Sequence, residues 1–425
     1  MPTVPADVSV TAAPSAAGSP PALAVRTVVL SAPGPLLALL PEQGALAWVQ
    51  DGEGLVGWGE AARCELTGAD RFEQARTWWS SLVGRAEVRD DVRRPGTGLV
   101  GFGSFAFDPL AASSVVVVPE VVVGHRDGIW WITTIGSGSP ALPSRSAPRS
   151  PVTLTFEEDR DRDEAWMATV AQAVTRISAG DLDKVVLARD LVARADEPVD
   201  LRWPLQRLAR DYAGCWVFAV DGLLGATPEL LVRLDRGVAT SRVLAGTLSR
   251  SGDLNEDRRR GDNLPRSIKD VEEHGYGVRS VVEALGRHGD VDLPAEPFVL
   301  ELRNVMHLAT DVRAVVGDGS TSLDLLASLH PSAAVCGSPT ADALALIRAV
   351  EGLQRGRYAG PVGWLDASGD GEWGIALRCA EVDAADPRRL RLFAGCGIVA
   401  GSAPSRELAE SNAKLVPMRQ ALSGS

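Results

Sequence analysis

Gly360-Pro-Val-Gly-Trp-Leu-Asp366, Trp373-Gly-Ile-Ala-Leu-Arg-Cys-Ala-Glu381 and Leu390-Arg-Leu-Phe-Ala-Gly-Cys396 read as three successive strands separated by short polar turns. No helical pattern lies between them, and parallel neighbours would need a crossover of a dozen residues or more. Strands that arrive in clusters predict an α+β chain with largely antiparallel sheets rather than a doubly wound parallel fold. Behind the third strand, Glu407-x-x-Glu410-x-x-x-Lys414 places two carboxylates and a lysine on one helix face. Such a row can hold a divalent cation beside a positive group, and it equally suits a solvated helix with a surface ion pair.

The same clustering extends towards the N-terminus. Helices are expected at Arg71–Leu82, Asp163–Ala179, Pro204–Asp211, Ser267–Gly286, Thr321–Ser328 and Thr340–Leu353. Strands are expected at Val28–Leu30, Leu36–Leu40, Ala45–Val49, Leu99–Phe102, Ser114–Val118, Trp130–Ile132, Lys184–Leu187, Trp216–Val220, Glu229–Leu234 and Ser241–Ala245. Residues 1–22, an Ala/Pro/Ser/Val mixture without periodicity, are expected to be a disordered leader. Residues 23–135 form an N-terminal sheet-rich part, 136–151 a Pro/Ser-rich loop, and 152–425 the catalytic region.

With 425 residues and 45% hydrophobic composition the chain can bury a large core. Its net charge of -12 and pI of about 5.1 argue against nucleic-acid binding. An anionic substrate would therefore need locally placed cations or a metal. Five scattered cysteines, none in CxxC spacing, suggest neither a zinc site nor a disulfide framework and fit a reducing cytoplasm. No uncharged apolar run reaches the length of a membrane span, so no membrane partner is expected.

Asp183-Lys-Val-Val-Leu-Ala-Arg189 sets Lys184 in an apolar strand, where desolvation favours the neutral amine and hence a general base. An edge-strand lysine that discourages aggregation would look the same. In Ala226-Thr-Pro-Glu-Leu-Leu231, Glu229 enters an apolar strand after a proline-fixed turn, and apolar surroundings can keep such a carboxyl protonated as a proton donor. Asp270, Glu273 and His274 share a helix face that could complement Glu407 and Glu410. Carboxylates from two helices suit magnesium rather than zinc. Ser267 to Asp270 also has capping-box spacing, which explains Asp270 alone. His307 and His330 sit in apolar segments where a histidine is ordinarily a core residue.

In this order, Lys184-Val-Val-Leu-Ala-Arg189, Thr227-Pro-Glu229, Ala245-Gly-Thr247, Lys269-Asp-x-x-Glu273-His274, His307-Leu, His330-Pro, Tyr358-Ala-Gly-Pro-Val-Gly363, Gly369-Asp370, Arg378, Ala394-Gly-x-Gly397-Ile and Glu407-x-x-Glu410-x-x-x-Lys414 resemble the chorismate-utilising enzymes, and among them the isochorismate synthases. The resemblance covers residues 160–420. It implies two packed sheets flanked by helices, a Mg2+ cofactor and the dianion chorismate as substrate. By resemblance Lys184 activates water for attack at C2 and Glu229 assists loss of the C4 hydroxyl. Glu273 and Glu410 match metal ligands, with Glu407 and Asp270 in or near their shell. Arg378 and Lys414 match contacts to the substrate carboxylates, Thr247 and Gly397 match backbone-side contacts, and His330 matches a contact with the substrate ring.

Related enzymes that aminate chorismate or form salicylate often carry threonine where this chain has Ala334, so the small residue favours water as nucleophile. A salicylate synthase or an aminating subunit is the alternative. His-Pro-Thr-Pro is more usual in the family than His330-Pro-Ser-Ala333, and Ala403 replaces an acidic residue. The product would feed menaquinone or siderophore synthesis. A monomer without a glutaminase subunit is expected.

Overall fold

The computed structural model describes residues 23–110, 112–136, 142–143, 146–303 and 305–423; the expected leader lies outside the described residues. Among these, one sheet has 13 strands and a second has 10. All strand pairs are antiparallel except Ala24–Val29 with Glu87–Asp90, which gives the α+β architecture with antiparallel sheets.

Strands from both sides of the 136–151 stretch are hydrogen-bonded neighbours in both sheets. In the larger sheet Leu46–Gln50 pairs with Trp216–Val220, setting Ala47 opposite Ala219. In the smaller one Val100–Ser104 pairs with Pro361–Asp366, setting Gly103 opposite Gly363. A shared core lies between the sheets. Trp48 and Phe218 of the larger sheet meet Phe102, Trp364 and Trp373 of the smaller in one buried cluster. Burying each such side chain contributes roughly 1.5–3 kcal/mol. Close approach leaves little space: a Cβ at Gly374 would lie 2.8 Å from the Trp48 ring and 2.9 Å from the Thr227 side chain.

One buried carboxylate crosses that core. Glu372 accepts from Trp48 Nε1 at 2.8 Å and pairs with Arg233 at 2.8 Å and with Arg126. Trp48 and Arg126 belong to the larger sheet and Arg233 to the smaller, so the sheets are tied by one charge.

Helices cover the outer faces. Pro404–Ser423 packs on the Arg389–Ile398 strand, and Ile268–Leu285 packs on Val238–Ser249 and Val305–Val316. Two expectations need correction. Leu36–Leu39 is a short 3-10 helix rather than a strand; Pro35 precedes it, and Leu36, Leu37 and Leu39 all turn into the core. The run read as Trp373–Glu381 is two strands, Gly371–Ile375 and Cys379–Val382, which belong to different sheets.

Candidate active site

The site forms where the chain changes sheets. Leu223–Thr227 belongs to the larger sheet and Leu230–Asp235 to the smaller, with Pro228 and Glu229 between them. The return passage, between Gly371–Ile375 and Cys379–Val382, carries Leu377 and Arg378. Sheet ladders end at such crossings, so their side chains are free to face the space between the layers. Glu229, Leu377 and Arg378 line a pocket there with Val186, Leu244, Gly246, His307, Ala334, Val335, Arg355, Tyr358, Phe393, Gly395, Gly397 and Lys414.

Lys184 opens the strand Lys184–Ala195 and is 1% exposed. It is not part of the pocket lining itself, but Val186, two residues on and on the same strand face, is. The neighbouring strand Arg389–Ile398 pairs Val186 with Gly397 and Leu187 with Cys396, which brings Gly395 and Gly397 to the pocket wall. A Cβ at Gly395 would lie 2.9 Å from the Leu187 carbonyl and 3.0 Å from the Tyr358 hydroxyl.

Burial pushes the Glu229 carboxyl up to about 8, against the opposing charges of Lys184, Arg378 and Lys414. At neutral pH it is therefore largely protonated, in the state that donates. Two cations face it. Arg378 is buried, a setting that lowers its pKa from the ordinary arginine value, and its Nη2 lies 3.2 Å from His307 Nε2. Burial, followed by the charges of Arg378 and Lys414, holds His307 well below its usual value, so the ring is neutral.

Lys414 donates from Nζ to Gly395 O at 2.9 Å and pairs with Glu410 at 2.6 Å. Burial alone would lower this ammonium's pKa, but Glu410 raises it above the ordinary lysine value. Helix Pro404–Ser423 thus turns Glu407, Glu410 and Lys414 towards the sheet. Among the described residues, the ligating atoms of Cys396, Glu407 and Glu410 lie within 4.8 Å of one another. The two carboxylates are oxygen donors that suit a hard divalent ion such as Mg2+, whereas the Cys396 thiol is not a donor such an ion takes.

The helix Ile268–Leu285 carries Asp270, Glu273 and His274. The side chains of Asp270, Glu273 and Thr247 lie outside the described residues. His274 is buried, its Nε2 lies 2.7 Å from Thr310 Oγ1, and its pKa falls to about 4 through burial and the Lys184 charge. Gly246, before Thr247, lines the pocket at a bulge in the Val238–Ser249 strand.

His330 stands apart from the lining. Its ring packs edge-on against Phe72 and Phe107, and its Nε2 lies 3.1 Å from Phe107 O. Burial lowers its pKa to about 3, which keeps it neutral. Ala334, four residues further, does line the pocket. Sequence reasoning gave no role to Arg355, Leu377, Phe393 or Leu244. For Arg355 the available signal is its i, i+4 spacing from Glu351, which also describes any surface ion pair.

The chorismate binding enzyme family matches residues 42–423. The salicylate biosynthesis isochorismate synthase of Pseudomonas aeruginosa is 35% identical over 412 residues, 89% of this chain and 84% of that protein. Isochorismate synthase DhbC of Bacillus subtilis is 40% identical over 272 residues, 61% of this chain and 68% of the relative. The crystal structure of a Bacillus anthracis protein described as a 2,3-dihydroxybenzoate-specific isochorismate synthase, DhbC, superposes with a TM-score of 0.75 at 30% identity, covering 92% of this chain and 99% of that one. The family match over most of its length and these relatives show that the chain belongs to the chorismate binding enzymes.

Proposed function

We propose that this protein is an isochorismate synthase that interconverts chorismate and isochorismate. The carrying observation is Glu229, a buried carboxyl raised to about 8, in a pocket that Arg378 and Lys414 also line. In this reading Arg378 and Lys414 hold the two carboxylates of chorismate, and Gly397 and Thr247 supply backbone-side contacts. Lys184 takes a proton from water as its oxygen bonds to C2. Both ring double bonds shift, C1=C2 to C1=C6 and C5=C6 to C4=C5, the C4–O bond breaks, and Glu229 protonates the departing hydroxyl so that it leaves as water. One water enters and one leaves, which makes the change an isomerisation with no net redox.

Glu407 and Glu410, with Asp270 and Glu273 from the helix Ile268–Leu285, would hold Mg2+, and the bound ion would neutralise a substrate carboxylate. That provision answers the charge problem of a protein at net -12 binding a dianion. Small Ala334 supports water rather than ammonia as nucleophile, and we assign the protein no glutaminase subunit and a monomeric state. Five unbridged cysteines suit the reducing cytoplasm, and no described helix is long and apolar enough to cross a membrane. We assign the product to siderophore or menaquinone synthesis; relatives named for salicylate and 2,3-dihydroxybenzoate support an aromatic-acid destination.

The test is to incubate the protein with chorismate and Mg2+, with and without ammonium, and resolve the products by chromatography and mass. Isochorismate in equilibrium with chorismate, indifferent to ammonium and lost with chelator, is expected. Salicylate with pyruvate, or an amino product that needs ammonium, would overturn the assignment in favour of a sister activity.

A further inference from the structure

The outer edge of the Lys184–Ala195 strand carries strand ladders at its two ends. Gly337–Ser338 pairs with Lys184 and Val185, and Leu154–Phe156 pairs with Ala193 to Ala195. Between these ladders Val186 N donates to Cys336 O at 2.8 Å and Val192 O accepts from Glu157 N at 2.9 Å, while side chains serve Val186 O and both backbone groups of Ala188. Arg355 Nη2 donates to Val186 O at 2.7 Å, Glu351 Oε2 accepts from Ala188 N at 2.8 Å, and Trp166 Nε1 donates to Ala188 O at 3.1 Å.

Arg355 and Glu351 are themselves joined by two hydrogen bonds of 2.6 Å and are 4% and 2% exposed at their side chains. Arg355 Nη1 also donates to Val335 O at 3.1 Å, and the guanidinium lies 4.2 Å from the Phe107 ring centre. The pair therefore replaces a missing rung of the sheet and ties the strand that begins at Lys184 to the wall formed by Ala334 and Val335. Ala334, Val335, Val186 and Arg355 all line the pocket.

We propose that Arg355, held by Glu351, is a positioning residue that sets the spacing between Lys184 and the pocket wall at Ala334–Val335, and so aligns the attacking water with its substrate. Resting on the isochorismate synthase reading, this adds to it a residue that acts through Lys184 rather than on the substrate. Four donor contacts of Arg355 go to protein acceptors, which fixes the plane of its guanidinium between the strand and the pocket wall. A fork that grips one carboxylate and two carbonyls is geometry that a lysine ammonium cannot reproduce. As a stabilising device the pair would be a poor choice, because buried ion pairs often contribute no more than apolar residues of similar size. Its geometric precision is what apolar packing would not supply.

The experiment compares wild type with Arg355→Lys and with the double variant Glu351→Met/Arg355→Met, which removes both charges together. Steady-state chorismate conversion is measured alongside the thermal midpoint and hydrogen exchange at the Val186 and Ala188 amides. For a misplacement of about 1 Å a loss near a hundredfold is typical, and it is expected here in kcat, with KM changed less than threefold. Faster exchange at the two amides should accompany it in variants that remain folded. If either folded variant keeps kcat within threefold of wild type, or if the loss falls on KM, the positioning role is overturned. Wild type measured in parallel separates the two ideas: inactivity of wild type on chorismate defeats the reading itself, whereas active wild type with active variants defeats only the inference.

Discussion

Glu229 and Arg378 occupy opposite passages of the chain between its two sheets, and the passages touch. Arg378 O accepts from Ala226 N at 3.3 Å, three residues before Glu229, and a Cβ at Gly225 would lie 2.8 Å from that carbonyl. Arg378 has φ of +47°, a left-handed conformation that costs a non-glycine residue about 1–2 kcal/mol. The surrounding sheets hold it there, and the outcome is a buried acid and a buried guanidinium bordering one pocket. The proposed proton donor and anion anchor are thus placed by backbone topology.

As the proposed proton donor, Glu229 would act only while protonated, so conversion of chorismate should be steady at neutral pH and decline about tenfold per unit above roughly pH 8. Glu229→Gln should keep the pocket's packing and lower kcat by about 10²–10⁴. Stability follows the same sign. A carboxyl raised from 4.5 to about 8 stabilises the fold fully below 4.5, and that contribution is lost as pH rises through about 8. Thermal midpoints of wild type should therefore fall relative to Glu229→Gln across that window. A pH-rate profile flat to pH 10 would remove Glu229 as the acid.

Lys184→Met retains most of the side-chain volume and removes the amine. Loss of turnover by about 10²–10⁴, with chorismate still bound in calorimetry, is expected for a general base. Near-normal kcat would rule the assignment out. His274 provides a second readout: burial comes first among the causes that hold it down, and the Lys184 charge adds to it. Its pKa, followed by NMR, should rise in the variant.

Sequence carried the class of fold and the chemistry of individual residues further than their meeting. A carboxylate entering an apolar strand behind Pro228 implied a raised pKa because desolvation is a local property of the run. The break at Arg378 was not legible: Trp373 to Glu381 is apolar enough for one strand, and periodicity says nothing about a strand's leaving one sheet for another. Leu36–Leu40 failed for the opposite reason, since a short apolar run fits a buried 3-10 turn as well as a strand. Glu351 and Arg355 were invisible as a device because their partners, Val186 and Ala188, lie more than 160 residues away by separations of 169 and 163.

Metal dependence distinguishes the two carboxylates of the C-terminal helix from ordinary surface acids. Glu410→Gln and Glu407→Gln should each raise the Mg2+ concentration for half-maximal activity by roughly tenfold or more. Glu410→Gln should also loosen Lys414, whose ammonium it holds at 2.6 Å, and raise KM for chorismate. Direct Mg2+ titration by calorimetry reads the first effect without turnover. Unchanged metal affinity in both variants would exclude the helix as a metal face.

Glu372 should matter to stability and leave the chemistry alone. It is buried between Trp48, Arg126 and Arg233, and among the described residues it joins both sheets through one carboxylate. Burial would raise its pKa, but the two arginines and the Trp48 N–H hold it below the usual value. A depressed carboxylate contributes stability above its unfolded pKa and loses it as pH falls through the folded one. Glu372→Gln keeps one acceptor and leaves two arginines without their charge partner, at a cost of about 3 kcal/mol or more in urea unfolding at pH 7. The gap to wild type should narrow in acid, and kcat per folded molecule should remain within about twofold because Glu372 does not line the pocket. A variant as stable as wild type would show that apolar packing alone joins the sheets.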